Sequence, residues 1–228
     1  FRDLLVQPAL VWYLNQLVGP GFILDRAPEI WCEATCDTAA PLTGGNEPRD
    51  PSIAYYYQNG RRFSEGVRVL WALEDVNEGD GGFSLVPCSH KGYVATPEDV
   101  ATGAGDMGLT YQPALKAGDL LIVALSTLQG MRSWRGDGRQ RLLSYEYGGR
   151  GGIGKAGTGP MVDEEPRPEW HGELSAAQRA SLYKPGYVET TPPPTIVTDG
   201  KTTRVDPSRA VFHPAFLQQD PASGIDHE

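Results

Sequence analysis

The sequence predicts a mainly β protein, a sandwich or barrel with a helix packed outside it. Three observations carry this. Short apolar runs recur along the chain between Gly-rich turns. Gly 28 and Pro 19 together make up about a fifth of the 228 residues, which favours strands and turns over long helices. Clear helical periodicity is confined to one stretch near the start and one short stretch near residue 180.

The first of these runs from Asp3 to Val18, where Leu4, Leu5, Leu10, Val11, Leu14 and Leu17 supply a broad apolar face. Pro8 splits off its first turn, and Gly19-Pro20-Gly21 stops it. Phe22 to Asp25 and Ile30 to Thr35 read as short strands, and Pro41 to Ser52 as loop. Ile53 to Gln58 reads as a strand, followed by the hairpin signal Asn59-Gly60. Val67 to Val76 is the clearest strand. Val67, Val69, Trp71 and Leu73 share one of its faces, and Arg68, Leu70, Ala72 and Glu74 the other. NEGDGG (Asn77 to Gly82) is a turn and Phe83 to Pro87 a short strand; Thr96 to Met107 is loop or a weak helix. Leu120 to Leu125 is an unbroken apolar run that suits a strand buried on both faces. The Gly- and Arg-rich stretch after Gln129 reads as a turn, and Leu142 to Tyr147 as the last clear strand. Leu174 to Tyr183 is a short helix with Ser175 as N-cap, and the Pro-rich tail from Pro192 to Glu228 is extended or irregular. The expected organisation is therefore a β domain over residues 1–150. A Gly/Pro-rich extension over 151–228 follows, with its one helix packed on or near that domain.

A net charge of −9 and a pI of about 5.0, with no basic stripe, argue against a nucleic-acid partner. Cys32, Cys36 and Cys88 leave at least one thiol unpaired, which favours an intracellular, cytoplasmic setting. Cys32 and Cys36 lack a second pair, so no structural zinc site is expected. No apolar run approaches the ~20 residues of a membrane-spanning helix. The chain opens at Phe1 with neither an initiator Met nor a signal pattern, which leaves open whether a segment precedes it.

Arg141 stands at the head of an apolar strand. Alternation places it with Leu143, Tyr145 and Tyr147 on one aromatic-lined face. A guanidinium there needs a partner. Residue chemistry leaves two open: a carboxylate ligand held by two parallel hydrogen bonds, or an internal or rim salt bridge.

VLWALEDVNEGDGGFSLVPCSHK (Val69 to Lys91), LKAGDLLIVALSTLQG (Leu115 to Gly130) and RQRLLSYEYG (Arg139 to Gly148) together resemble the phytanoyl-CoA dioxygenase family. The blocks follow that family's order and spacing. The resemblance covers roughly Leu4 to Gly148, and more weakly Gln178 to Tyr187. It implies a double-stranded β-helix, a jelly-roll or cupin-like barrel with flanking α-helices. It also implies iron(II)- and 2-oxoglutarate-dependent oxygenase chemistry. In that family two His and a carboxylate hold the metal and leave positions open for 2-oxoglutarate and O2. The His positions fall here on Thr43 and Gln129, and the carboxylate position on Gly45. Arg141 falls on the arginine that grips the far carboxylate of 2-oxoglutarate.

The histidine inventory opposes a working centre. The chain has four His, and only His90 lies in the strand-rich region; His171, His213 and His227 lie beyond it. Thr, Gly and Gln at the ligand positions provide neither imidazole nor negative charge. No metal or cofactor is therefore expected, unless iron(II) and 2-oxoglutarate are held by an unusual ligand set. Two routes to a metal stay open: His171 or His213 folding back over the barrel, or His90 joining Glu47 and Asp50 around a different metal. A shifted register at Thr43 leaves the His count, and so the expectation, unchanged.

Tyr55, Tyr57, Trp71, Tyr145 and Trp134 are candidates for the pocket wall, and Arg132 for its entrance. Cys88, after Pro87 in a turn, is reactive if exposed and a small filler if buried. The expected function is that of a catalytically altered or inactive relative binding a small acid in the barrel. An active dioxygenase acting on a small organic substrate and a non-enzymatic jelly-roll binding module are the alternatives.

Overall fold

The computed structural model describes residues 1–34, 40–47, 50–149, 169–182 and 195–206. In chain order it contains a 3-10 turn at Arg2–Val6, α1 (Pro8–Leu17), β1 (Ile23–Ala34), β2 (Tyr55–Gln58), β3 (Arg61–Ser64), β4 (Gly66–Ala72) and β5 (Gly81–Leu85). α2 (Glu98–Thr102), β6 (Leu120–Ala124), β7 (Gln129–Trp134), β8 (Arg139–Gly148), α3 (Ala176–Ser181), β9 (Thr195–Thr198) and β10 (Thr203–Asp206) follow. The architecture is mainly β and jelly-roll-like, as the sequence predicts.

The described residues form two compact units: those within Phe1–Asp25, Tyr56–Ser64 and Tyr147–Glu228 in one, those within Arg26–Tyr55 and Glu65–Glu146 in the other. In the first, Pro8 stands at the N-terminus of α1 and the Gln7 side chain accepts from the Leu10 amide. Pro at that position loses no helical hydrogen bond, so the 3-10 turn ends where the helix begins. Leu10, Val11 and Leu14 are the buried stripe of α1. Asn15 donates to the carbonyl of Ile196 on β9, and Thr203 of β10 donates to the carbonyl of Val6. β2 and β3 pair across Asn59-Gly60, both with positive φ, the backbone that a two-residue hairpin requires. α3 opens with a capping box in which Ser175 and Gln178 satisfy each other's backbone amides. Leu174, Ala177, Ala180 and Leu182 are buried there.

The second unit holds a four-stranded sheet in the order β1-β8-β4-β6 and a two-stranded sheet of β5 and β7. β4 and β6 pair antiparallel with Val69 opposite Ile122, and β5 and β7 antiparallel with Phe83 opposite Met131. Leu70 and Ala72 of β4, Val123 of β6 and Leu142 of β8 pack with Phe83 of β5 in one cluster; Trp31, Leu85, Leu121 and Met131 close around it. The inner face of the large sheet is thus the one carrying Leu70, Ala72 and Leu142. Burial of each large apolar side chain there contributes about 1.5–3 kcal/mol.

Three elements differ from the sequence expectation. β1 is one strand of twelve residues through Pro28, which is tolerated because β1 is an edge strand of its sheet. The stretch after Gln129 is a strand, β7, rather than a turn. Thr195–Asp206 forms the β9–β10 hairpin within the tail expected to be irregular. Among the described residues no helix is long and apolar enough to cross a membrane.

Candidate functional site

The three positions that the resemblance assigned to metal ligands come together at the start of β7. Thr43 and Gln129 form an antiparallel bridge, each amide donating to the other's carbonyl at 2.8 Å. Two residues on, the Gly45 amide donates to the carbonyl of Ser126 at 2.9 Å. Backbone pairing therefore places all three against the 126–129 segment.

Their chemistry does not suit a metal. Gln129 is buried, and both its amide N–H donors and its oxygen make hydrogen bonds. Nε2 donates to the carbonyls of Ala124 and Thr127, both at 3.2 Å, and Oε1 accepts from Arg68 Nη1 at 3.0 Å. The two donated bonds fix which way the amide points, so its one neutral oxygen is already given to a cation. The Thr43 hydroxyl lies 3.4 Å from the Gln129 carbonyl, and Gly45 has no side chain. Among the described residues no group of three or more His, Cys, Asp or Glu converges as a metal site. These residues do not fit iron(II), which takes imidazole and carboxylate ligands.

Arg68 is the centre of what occupies this end of the barrel. It lies on β4 two residues before Leu70, so its side chain shares the inner face. Its Nη2 pairs with Glu146 Oε1 at 2.5 Å, and the other carboxylate oxygen of Glu146 pairs with Arg26 Nε at 3.3 Å. The guanidinium carbon lies 4.8 Å from the centre of the Trp31 ring, a cation–π contact. Trp31 in turn packs near Phe83, with ring centres 6.2 Å apart. The Glu146 side chain is 9% exposed and that of Arg68 17%. This is a mostly buried ion pair in which both charges depend on one another.

Arg141 stands apart from that group. On β8, Gln140, Leu142, Ser144 and Glu146 alternate with Arg141, Leu143, Tyr145 and Tyr147. Since Leu142 and Glu146 face inward, Arg141 faces the other way. Its side chain is half exposed and pairs with Glu74. That hydrogen bond holds the Glu74 carboxyl below the usual carboxylate range and raises the guanidinium. Of the two partners open to Arg141 from residue chemistry, the structure supplies the salt bridge. The inward side chain at this level of β8 is Gln140, buried, whose Oε1 accepts from the Phe83 amide at 3.2 Å.

The aromatic candidates are dispersed. Tyr55 meets the His90 ring edge-on, with centroids 4.7 Å apart. Burial, and then Lys91, push the His90 imidazole below its ordinary value. Asn46 donates to the His90 carbonyl, and His90 has no acidic cluster beside it among the described residues. Tyr57 is exposed. Trp71 is buried on the face of β4 opposite Arg68. Tyr145 is buried on the outward face of β8, and burial pushes its phenol up to about 12. Trp134 is buried and its indole donates to the carbonyl of Gly138, bracing the β7–β8 turn. Arg132 donates to the carbonyls of Val100 and Ala40. Cys32 and Cys88 are exposed free thiols; Cys36 and His213 lie outside the described residues. His171 lies in a 3-10 turn of the other unit.

Sequence reasoning missed Arg68, Glu146, Arg26 and Trp31 as a group. The available signal was a charge on the wrong face: Arg68 shares its side of β4 with Leu70 and Ala72, and Glu146 shares its side of β8 with Leu142.

Known structures bear on the fold. The chain has the fold of HygX. HygX from Streptomyces hygroscopicus with nickel and 2-oxoglutarate bound superposes with a TM-score of 0.56 at 24% identity, covering 65% of this chain and 64% of that one. The iron-bound form of HygX matches with a TM-score of 0.56, 23% identity, and 65% and 67% coverage. The form with nickel, 2-oxoglutarate and hygromycin B matches with a TM-score of 0.56, 24% identity, and 65% and 64% coverage. The chain thus spans less than two thirds of the HygX chain with nickel and 2-oxoglutarate bound. At these identities the likeness establishes the fold. No family model matches the sequence, and no curated protein does.

Proposed function

We propose that this chain is a phytanoyl-CoA dioxygenase-like relative of the iron(II)- and 2-oxoglutarate-dependent oxygenases that has given up the metal centre. In this reading it binds a small carboxylic acid within the barrel. One observation carries the proposal: the amide of Gln129, at a ligand position, is committed to Arg68 and to two backbone carbonyls. An arginine–glutamate pair thus stands beside the position where metal chemistry would need imidazole and carboxylate. The binding domain is 1–150, with 151–228 as an extension, and we place the protein in the cytoplasm without a nucleic-acid partner.

A second reading is a working dioxygenase with an unusual ligand set, favoured by the metal- and 2-oxoglutarate-bound forms of HygX on the same fold. Succinate release separates the two. Incubation with iron(II), ascorbate, O2 and 2-oxoglutarate gives no succinate above a protein-free control if the proposal holds. Protein-dependent succinate that disappears with chelator overturns it. Binding of small acids in the presence of chelator tests the other half of the proposal.

A further inference from the structure

We infer that the anion grip of the barrel is Arg68, seconded by Arg26, and that it takes a small carboxylate without a metal. This rests on the small-acid reading above and assigns that acid a site at residues which the resemblance does not mark. Three observations support it.

The first is the charge count. Arg26 and Arg68 share the single carboxylate of Glu146, so the three side chains carry one surplus positive charge. The second is an unmet donor. Among the described residues Arg68 Nε is buried and has no hydrogen-bond partner, while Nη1 and Nη2 donate to Gln129 and Glu146 respectively. A buried donor without an acceptor is a standing penalty, and an added carboxylate oxygen relieves it. The third is orientation. Trp31 beneath the guanidinium and Gln129 at its edge hold the fork in one plane. A planar, fixed guanidinium holds its remaining Nε–H in one direction, and an anionic carboxylate oxygen is the acceptor that suits it. The Arg26 side chain is 35% exposed, so the cluster is open to solvent on that side. Glu146 is then an internal competitor: it holds both cations until a ligand carboxylate shares them.

Arg141 provides the contrast. It is already neutralised by Glu74 and lies on the other face of β8, so a ligand there has to displace Glu74.

The test is calorimetric titration of the full chain, in chelator, with 2-oxoglutarate, succinate, pyruvate and inorganic phosphate. At least one of the three carboxylates binds the unaltered protein. Arg68→Gln weakens that binding at least about tenfold, the loss expected for a charge-assisted hydrogen bond. Arg26→Gln weakens it severalfold, and Arg141→Ala changes it less than about twofold. Glu146→Gln, which removes the competitor, tightens it severalfold, a gain that a purely structural role does not produce. The double variant Arg68→Gln/Glu146→Gln removes equal and opposite charge; it reports the same loss should the single substitution unfold the chain. Binding that survives in both Arg68 variants, or that is lost in Arg141→Ala instead, overturns the inference and leaves the small-acid reading standing. Binding of phosphate alone, or of none of the four, overturns both.

Discussion

Arg68 donates from Nη1 to the side-chain oxygen of Gln129 at 3.0 Å, across 61 residues of chain. In this fold Gln129 occupies one of the positions that the family resemblance gives to an iron-binding histidine. Its oxygen instead receives a cation that the protein itself supplies. The energetics follow. An ion pair of this burial contributes little net stability as a unit, but removing one partner strands the other. Glu146→Leu is therefore expected to destabilise the fold by about 3 kcal/mol, and Arg68→Met by a similar amount. The double variant should cost less than half their sum. Urea unfolding of the three variants measures this; additive losses would show that the pair is not coupled.

Rebuilding the metal site meets two obstacles. Gly45 has φ +84, and although a Cβ there would meet only the Thr96 hydroxyl at 3.9 Å, a side chain at that φ costs roughly 1–2 kcal/mol. The Arg68 cation remains beside the new ligands and opposes a divalent ion. The triple variant Thr43→His/Gly45→Asp/Gln129→His should bind nickel(II) weakly. Adding Arg68→Ala should tighten it by at least about tenfold, because a like charge at close range is removed. Titration followed by nickel absorbance compares the two. Equal affinities would show that Arg68 lies too far from the metal position to matter.

His90 predicts a pH dependence. Burial lowers its folded pKa below the ordinary 6.5, so the unfolded chain takes up the proton first. Stability from this group is full above about 6.5, declines as the pH falls through that value towards the folded pKa, and is constant below it. His90→Gln should flatten the unfolding free energy between about pH 6.5 and 5 and leave it unchanged at pH 8. Urea midpoints at the three pH values decide it; parallel curves for variant and unaltered protein would assign the dependence to other groups.

Local chemistry is what the sequence displayed. Pro8 marked the start of α1, Asn59-Gly60 the hairpin, and Ser175 with Gln178 the capped α3. The alternation in Val67 to Val76 sorted the faces of β4 correctly, and the resemblance led to the jelly roll. β7 was hidden because Gln129-Gly130-Met131-Arg132-Ser133-Trp134 mixes polar and apolar residues without a clear apolar run. β1 was split because Arg26-Ala27-Pro28-Glu29 looks like loop unless the strand is known to be an edge. The site was half legible. The resemblance assigned Thr43, Gly45 and Gln129 to ligand positions, and backbone pairing brings these three to one segment. The partnership of Arg68 with Glu146 spans 78 residues, and no local pattern encodes a pairing across two strands. Alternation grouped Arg141 with Leu143, Tyr145 and Tyr147, but that this face turns away from the inner cluster follows only from the packing of Leu142.

The central proposal is that a guanidinium–carboxylate pair stands beside the positions that the resemblance gives to metal ligands, and that no metal binds there. Anaerobic titration of the full chain with manganese(II) and then iron(II), with and without 2-oxoglutarate, tests it most directly. The account predicts no saturable metal binding and no absorbance band that requires metal, 2-oxoglutarate and protein together. Stoichiometric metal uptake that 2-oxoglutarate tightens, retained in Arg68→Gln and lost in Gln129→Ala, would contradict it.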